Sequence, residues 1–289
     1  MYDFKNKVAL VTGVRSRRGL GHEIALRFAK EGANVAFSSR KHLPEDFPEE
    51  EKLLGWKGLD SVLEEIEAQG VRGLPILADV AKEEQVQDMV DKTVAEFGRI
   101  DVVVANAGTA LMNRDMLTMS ADDWRTIIDI NLTGAFLTAQ AGARHMVERG
   151  GGGAIILIAS TAAKVAEAHV GAYCPSKAGV ITLGRVMAIE LAEHSIRVNT
   201  VCPGHFTTNL LAGQPAFQLS RDKGITVAEA ANEVLKDSYI KRILLKRIGY
   251  PFELANMVVF LASDEASFIT GQDYNVDGGY QVAGIRFSH

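Results

Sequence analysis

Tyr173-Cys174-Pro175-Ser176-Lys177 sets a phenol and an ammonium four residues apart. On a helix that spacing places both on one face. The ammonium can stabilise a phenolate and draw the tyrosine's pKa down from about 10. A phenol tuned in this way donates a proton to a carbonyl oxygen or accepts one from an alcohol. Such a pair also arises by chance in helices. Its company is what gives it meaning: a glycine-rich loop near the N-terminus, Asn131 on a helix, and Ser160 thirteen residues before the tyrosine. Each has a plainer reading. Asn131 could brace a helix, Ser160 could cap a strand end, and Tyr173 could be a core aromatic with its hydroxyl exposed.

The elements that must position these residues alternate along the chain. Short β-rich runs at 7–12, 34–39, 73–78, 101–105, 154–159, 196–201 and 273–276 are separated by segments of helical period. Helices are expected over 20–31, 59–69, 83–97, 120–148, 172–193 and 252–262. Ser120 with Asp123 reads as the N-terminal cap of the fourth of these helices. This alternation predicts an α/β fold: a Rossmann-type, doubly wound parallel sheet of about seven strands with helices on both faces. No linker separates two domains, so residues 1–289 are expected to form a single dinucleotide-binding and catalytic domain. Two irregular segments leave strand ends, where open sheets bind ligands. One is the charged insertion 40–58, read as a surface loop in preference to a cover over a nucleotide. The other is 205–246, read as a substrate lid with a helical stretch near 227–235.

Gly13, Arg15, Arg17, Arg18, Gly19, Leu20 and Gly21 follow the first strand and open a helix. Glycines there permit close backbone approach to a pyrophosphate, and a helix N-terminus supplies free N–H groups. The second strand ends in Ser39-Arg40, with no carboxylate to repel a ribose 2′-phosphate. Arg40, together with the loop arginines, suits such a phosphate. The expected cofactor is therefore NADP(H).

Taken together the chain resembles the short-chain dehydrogenase/reductase family over roughly Lys7 to Tyr280. The marks are the glycine loop, Asp79-Val80, Asn106-Ala107-Gly108, Asn131, Ser160, Tyr173, Lys177, Pro203-Gly204 and Asp277-Gly278-Gly279. The resemblance implies that Tyr173 exchanges the proton and Ser160 holds the reacting oxygen. Lys177 would lower the tyrosine's pKa and bind the nicotinamide ribose, and Asn131 would hold a relay water. Asp79 and Val80 would meet the adenine, and Asn106, Ala107 and Gly108 would flank the adenosine ribose. Pro203, Gly204 and Thr208 would border the nicotinamide. Glu167 and His169 fall where the family places substrate-facing residues. The resemblance also implies a homotetramer.

Of the 289 residues 47% are hydrophobic and 23% charged, and the net charge is −5. No basic surplus points to nucleic acid or an anionic membrane. No apolar run is long enough to span a bilayer. The N-terminus lacks a signal segment, and two cysteines without metal spacing suit a reducing, cytoplasmic setting. The seven histidines form no ligand cluster, so no metal is expected. The leading expectation is an oxidoreductase for a small carbonyl or alcohol substrate. A 3-oxoacyl thioester reductase, a non-catalytic NADP(H)-sensing regulator, and an epimerase or dehydratase that uses its cofactor transiently remain as alternatives.

Overall fold

Along the central strands nearly every side chain is buried, as expected where both faces of a parallel sheet are covered. The computed structural model describes residues 2–41, 45, 47–110, 115–208, 213–236 and 238–282. Seven strands pair in parallel: β1 (Val8–Thr12), β2 (Asn34–Ser39), β3 (Gly73–Leu77), β4 (Val102–Ala105), β5 (Gly153–Ile158), β6 (Ile196–Pro203) and β7 (Asp273–Val276). Their order is β3-β2-β1-β4-β5-β6-β7. The order reverses between β1 and β4, which opens a crevice at the carboxyl ends of those two strands.

Helices α1 (Leu20–Lys30), α2 (Glu49–Leu53), α3 (Leu59–Glu67), α4 (Glu83–Phe97), α5 (Ala121–Ile128), α6 (Gly134–Arg149), α7 (Tyr173–Leu191), α8 (Gly213–Lys223), α9 (Val227–Val234) and α10 (Pro251–Ala262) complete the chain. The two-residue period of the strands divides the core in two. Ala9, Val11, Val35 and Phe37 pack with α1, α3 and α10. Leu10, Ala36, Val103 and Ile155 pack with α4, α6 and α7 on the other face. A third, smaller cluster lies under α8 and α9 and includes Ala230, Ile243 and Tyr280. No helix among the described residues is long and apolar enough to cross a membrane.

Three departures from the sequence reading bear on function. The long helix expected over 120–148 is broken by a π turn at Asp129–Thr133, between α5 and α6. Hydrophobic period carries no sign of one extra residue in a turn, whereas the Ser120 cap was legible and accepts from the Asp123 amide at 3.0 Å. The insertion 40–58 is no plain surface loop: its helix α2 buries Glu50 and Glu51 against the glycine loop. The lid carries two helices instead of one. Its Leu210 and Leu211, and residues 283–289 of the tail, lie outside the described residues.

Candidate active site

The loop after β1 and the turn after β4 are knitted together at the crevice. Thr12 Oγ1 accepts from the amides of Asn106 and Ala107 at 3.2 and 3.1 Å. Asn106 Nδ2 donates back to Thr12 O at 2.8 Å. Gly13 has φ +77° and lies so close that a Cβ there would come within 2.6 Å of Ala107 Cα. At Gly21 a Cβ would meet Asn106 Nδ2 at 2.6 Å. These glycines let two backbone segments touch, a packing role as much as a ligand role.

Helix α1 begins at Gly19, an extended N-cap whose residue type offers no side-chain oxygen. The first-turn amides of such a helix are ready for an anion. Leu20 and Gly21 line a cavity of about 540 Å³. The cavity runs from Ser39 and Arg40, Asp79 and Val80, past this helix start and Asn106 to Gly108. It ends among Ser160, Tyr173, Lys177, Pro203, Gly204 and Thr208. A two-ended ligand with a central anionic group suits such a trough, and the donor-rich helix start at its middle fits a pyrophosphate.

The arginines divide. Arg15 and Arg40 are exposed and line the cavity. Arg18 turns away from it into an ion pair with the buried carboxylate of Glu50 at 2.7 Å. Arg17 gives its backbone amide to Glu51 at 3.0 Å, and Ser16 gives its hydroxyl to the same oxygen at 2.5 Å. Neither Arg17 nor Arg18 lines the cavity. Burial holds the Glu50 carboxyl above its usual range, against the pull of Arg18. His22, beside the loop, is a structural residue: it meets Glu65 at 2.9 Å and packs edge-on to Trp56. The acidic run of the insertion thus anchors the glycine loop, which sequence alone did not reveal because the contact spans about thirty residues.

At the other end α7 starts at Tyr173, so Tyr173 and Lys177 stand one turn apart at its N-terminus. Tyr173 lies beside Ser160, which follows β5 and accepts from the Ala162 amide at 3.1 Å. Lys177 is buried, with Nζ 2.8 Å from Ile158 O and 5.9 Å from the Tyr173 ring centre. Burial draws its pKa down to about 8. Burial also raises the Tyr173 phenol, with the neighbouring Ser160 opposing the rise. The expected lowering of the phenol is therefore absent here: desolvation raises it, and Ser160 does not offset that rise. A phenol of this kind is protonated at neutral pH.

Asn131 sits at the centre of the π turn with no exposed surface. Its Oδ1 accepts from Thr109 N at 2.8 Å, and its Nδ2 donates to Thr109 O at 2.9 Å and Ser176 Oγ at 3.1 Å. It bolts the turn after β4 to α7. Gly108 is the pivot: a Cβ there would lie 3.2 Å from Lys177 Nζ and 3.3 Å from Asn131 Oδ1. The lysine and the asparagine therefore converge on one backbone position. π turns recur at functional sites for this reason, since they turn a side chain out of helical register.

A family model described as Enoyl-(Acyl carrier protein) reductase matches residues 13–281. The chain belongs to the short-chain dehydrogenase/reductase family. It is 38% identical over 275 residues to a 3-oxoacyl-[acyl-carrier-protein] reductase FabG of Staphylococcus epidermidis, covering 95% of this chain and 98% of that one. It is 36% identical over 277 residues to a cis-4-hydroxycyclohexanecarboxylate dehydrogenase of Sinomonas cyclohexanicum, covering 96% and 97%. The crystal structure of a short-chain type dehydrogenase/reductase from Mycobacterium marinum superposes with a TM-score of 0.78 at 36% identity, covering 96% of each chain. As a short-chain dehydrogenase/reductase this protein is an oxidoreductase with a Rossmann-type sheet.

Among the cavity residues that escaped sequence reading are Phe47 and Glu51 from the insertion, and His205 and Tyr239 from the lid. His205 follows Pro203-Gly204 directly, and that adjacency was the one available signal. Of the two residues placed near substrate by resemblance, Glu167 lines the cavity and His169 does not. His169 is exposed and takes φ +64°, a turn position.

Proposed function

We propose that the protein interconverts a secondary alcohol and a ketone with NADP(H) as redox partner, residues 1–289 acting as one domain. The observation that carries this is that Tyr173, Ser160 and the buried Lys177 line the same cavity, with Lys177 Nζ 5.9 Å from the Tyr173 ring centre. When bound, the nicotinamide supplies or accepts the hydride. Tyr173 gives its proton to the carbonyl oxygen in reduction and takes it back in oxidation. Ser160 donates to the same oxygen and fixes its distance from the phenol. Lys177, still mostly protonated at neutral pH with its pKa at about 8, favours the phenolate and holds the nicotinamide ribose. Asn131 keeps Lys177 and the turn at Gly108 in register and links them to a relay water. Asp79 and Val80 hold the adenine, Asn106, Ala107 and Gly108 the ribose beside it, and Pro203, Gly204 and Thr208 the carboxamide end.

The two named relatives differ in substrate, and what their names share is a carbonyl or a hydroxyl on carbon. A 3-oxoacyl thioester is one ketone of that class. A sensing role without turnover would make no use of a phenol beside a serine and a buried lysine. We read the working form as a cytoplasmic homotetramer. Ile189 and Val186 of α7 and Phe136 of α6 support it, because they leave apolar side chains exposed.

Phosphate preference falls to Arg40 and Arg15, the two arginines at the adenosine end. Arg40→Ala should weaken NADPH about ten-fold or more and NADH little, read as Kd by nicotinamide fluorescence. Equal loss for both dinucleotides would remove the phosphate argument. A wild-type preference for NADH would instead assign that end to Glu51, whose carboxylate suits a free ribose hydroxyl.

The pH profile has a definite sign. Reduction needs Tyr173 protonated, and burial keeps it so through neutral pH. Its rate should stay level there and fall once the phenol ionises. Oxidation needs the phenolate, so its rate should climb from neutral into the alkaline range. The measurement is kcat/KM against pH with protio and deuterio alcohol. A level oxidation profile under a full isotope effect would contradict Tyr173 as the base.

A further inference from the structure

Beyond Tyr173 the cavity ends in a polar wall that the family motifs do not include. Glu167 lines it, half-buried, and its Oε1 accepts from the Tyr280 hydroxyl at 2.8 Å. Among the described residues no lysine, arginine or histidine forms an ion pair with this carboxylate, and Tyr280 is its one hydrogen-bond donor. His205 lines the same wall, its ring 4.1 Å from Tyr239 and 4.6 Å from Tyr280. Burial pushes the imidazole down to about 4, against the pull of Glu167, so it is neutral at neutral pH. Its Nδ1 is buried and has no partner among the described residues. Arg242 is exposed and stacks over the Tyr280 ring at 4.6 Å.

Tyr280 comes from the far end of the chain and belongs to the small core under α8 and α9. Its bond to Glu167 therefore joins the lid to the segment between Ser160 and α7. Glu167, Tyr173 and His205 line the same cavity, so the carboxylate shares it with the phenol.

A carboxylate with spare acceptor capacity and an unpartnered imidazole are both costly to cover with alkyl groups. A hydroxyl on the substrate meets both needs, since it donates to the carboxylate and exchanges a hydrogen bond with the imidazole. An unsubstituted ketone leaves both unmet, and a keto acid sets its charge against Glu167. We propose that this protein selects ketones and secondary alcohols bearing a second hydroxyl near the reacting carbon, with Glu167 reading that hydroxyl and Tyr280 positioning Glu167. The inference rests on the alcohol/ketone reading above.

The test is kcat/KM with NADPH for 2-butanone, 1-hydroxy-2-butanone, 4-hydroxy-2-butanone and 2-oxobutanoate. Wild type, Glu167→Gln, Glu167→Ala and Tyr280→Phe are compared, and folding of each is followed by nicotinamide binding. Wild type should favour one hydroxy ketone over 2-butanone by roughly ten- to a hundred-fold, through KM. Glu167→Ala should bring that ratio to about one, with Tyr280→Phe between. Glu167→Gln keeps an acceptor and loses the charge, so it should retain part of the ratio and improve 2-oxobutanoate. A purely structural tie would lower all substrates together and leave the ratio intact, which overturns the proposal. So does a wild type without hydroxyl preference. No turnover of any ketone or of the matching alcohols would instead overturn the proposed function.

Discussion

Tyr173→Phe should lower turnover in both directions by roughly a hundred- to ten-thousand-fold, with dinucleotide affinity close to wild type. The substitution removes one oxygen. The ring remains under Lys177 Nζ, so the start of α7 keeps its packing. What disappears is the hydroxyl proposed as the proton donor, on a side chain that lines the cavity with Ser160. Single-turnover measurement with saturating NADPH separates the chemical step from binding, and fluorescence titration gives the affinity. Turnover near wild type would mean that another group supplies the proton. A parallel loss of dinucleotide binding would mean that the hydroxyl serves the cofactor pocket.

Asn131→Ala should cost both stability and rate. Its side chain closes three hydrogen bonds at a fully buried position. Alanine would leave the amide and carbonyl of Thr109 without their partner and open a cavity. Each orphaned buried group costs about 1–3 kcal/mol. A loss of roughly 2–4 kcal/mol is expected, read from denaturant unfolding with the slope unchanged. Turnover should fall further than the folded fraction does, because Gly108 and Lys177 share the turn that Asn131 holds. Unchanged stability would show that the turn after β4 stands without it. Unchanged rate in the folded variant would limit Asn131 to bracing.

The strands were legible because burial on both faces forces unbroken apolar runs, and the glycine loop because only glycine permits the contact at Gly13. Tyr173 and Lys177 were legible because helical spacing alone sets their separation. The polarity of the tyrosine's shift was not: it depends on how much water the fold excludes, and excluded water leaves no trace in spacing. The two arginines lost to the site, Arg17 and Arg18, follow the same logic. Their position in the loop was clear, but their orientation is set by Glu50 and Glu51, whose approach depends on tertiary packing. His205 and Tyr280 likewise meet only because the lid closes over a core of its own.

The π turn has one more effect, on how this enzyme tolerates shortening. Each helical residue advances about 100° around the axis. Deleting Leu132 or Thr133, between Asn131 and α6, would let the chain run as ordinary helix from Ser120 onward. The seat of α6 is strict, since a side chain at Gly142 would strike Val103. The swivel would therefore fall on α5 and carry the amide of residue 131 off Thr109. Such a deletant would keep its sheet and lose its clamp, so a frame error of one residue would separate holding the dinucleotide from using it.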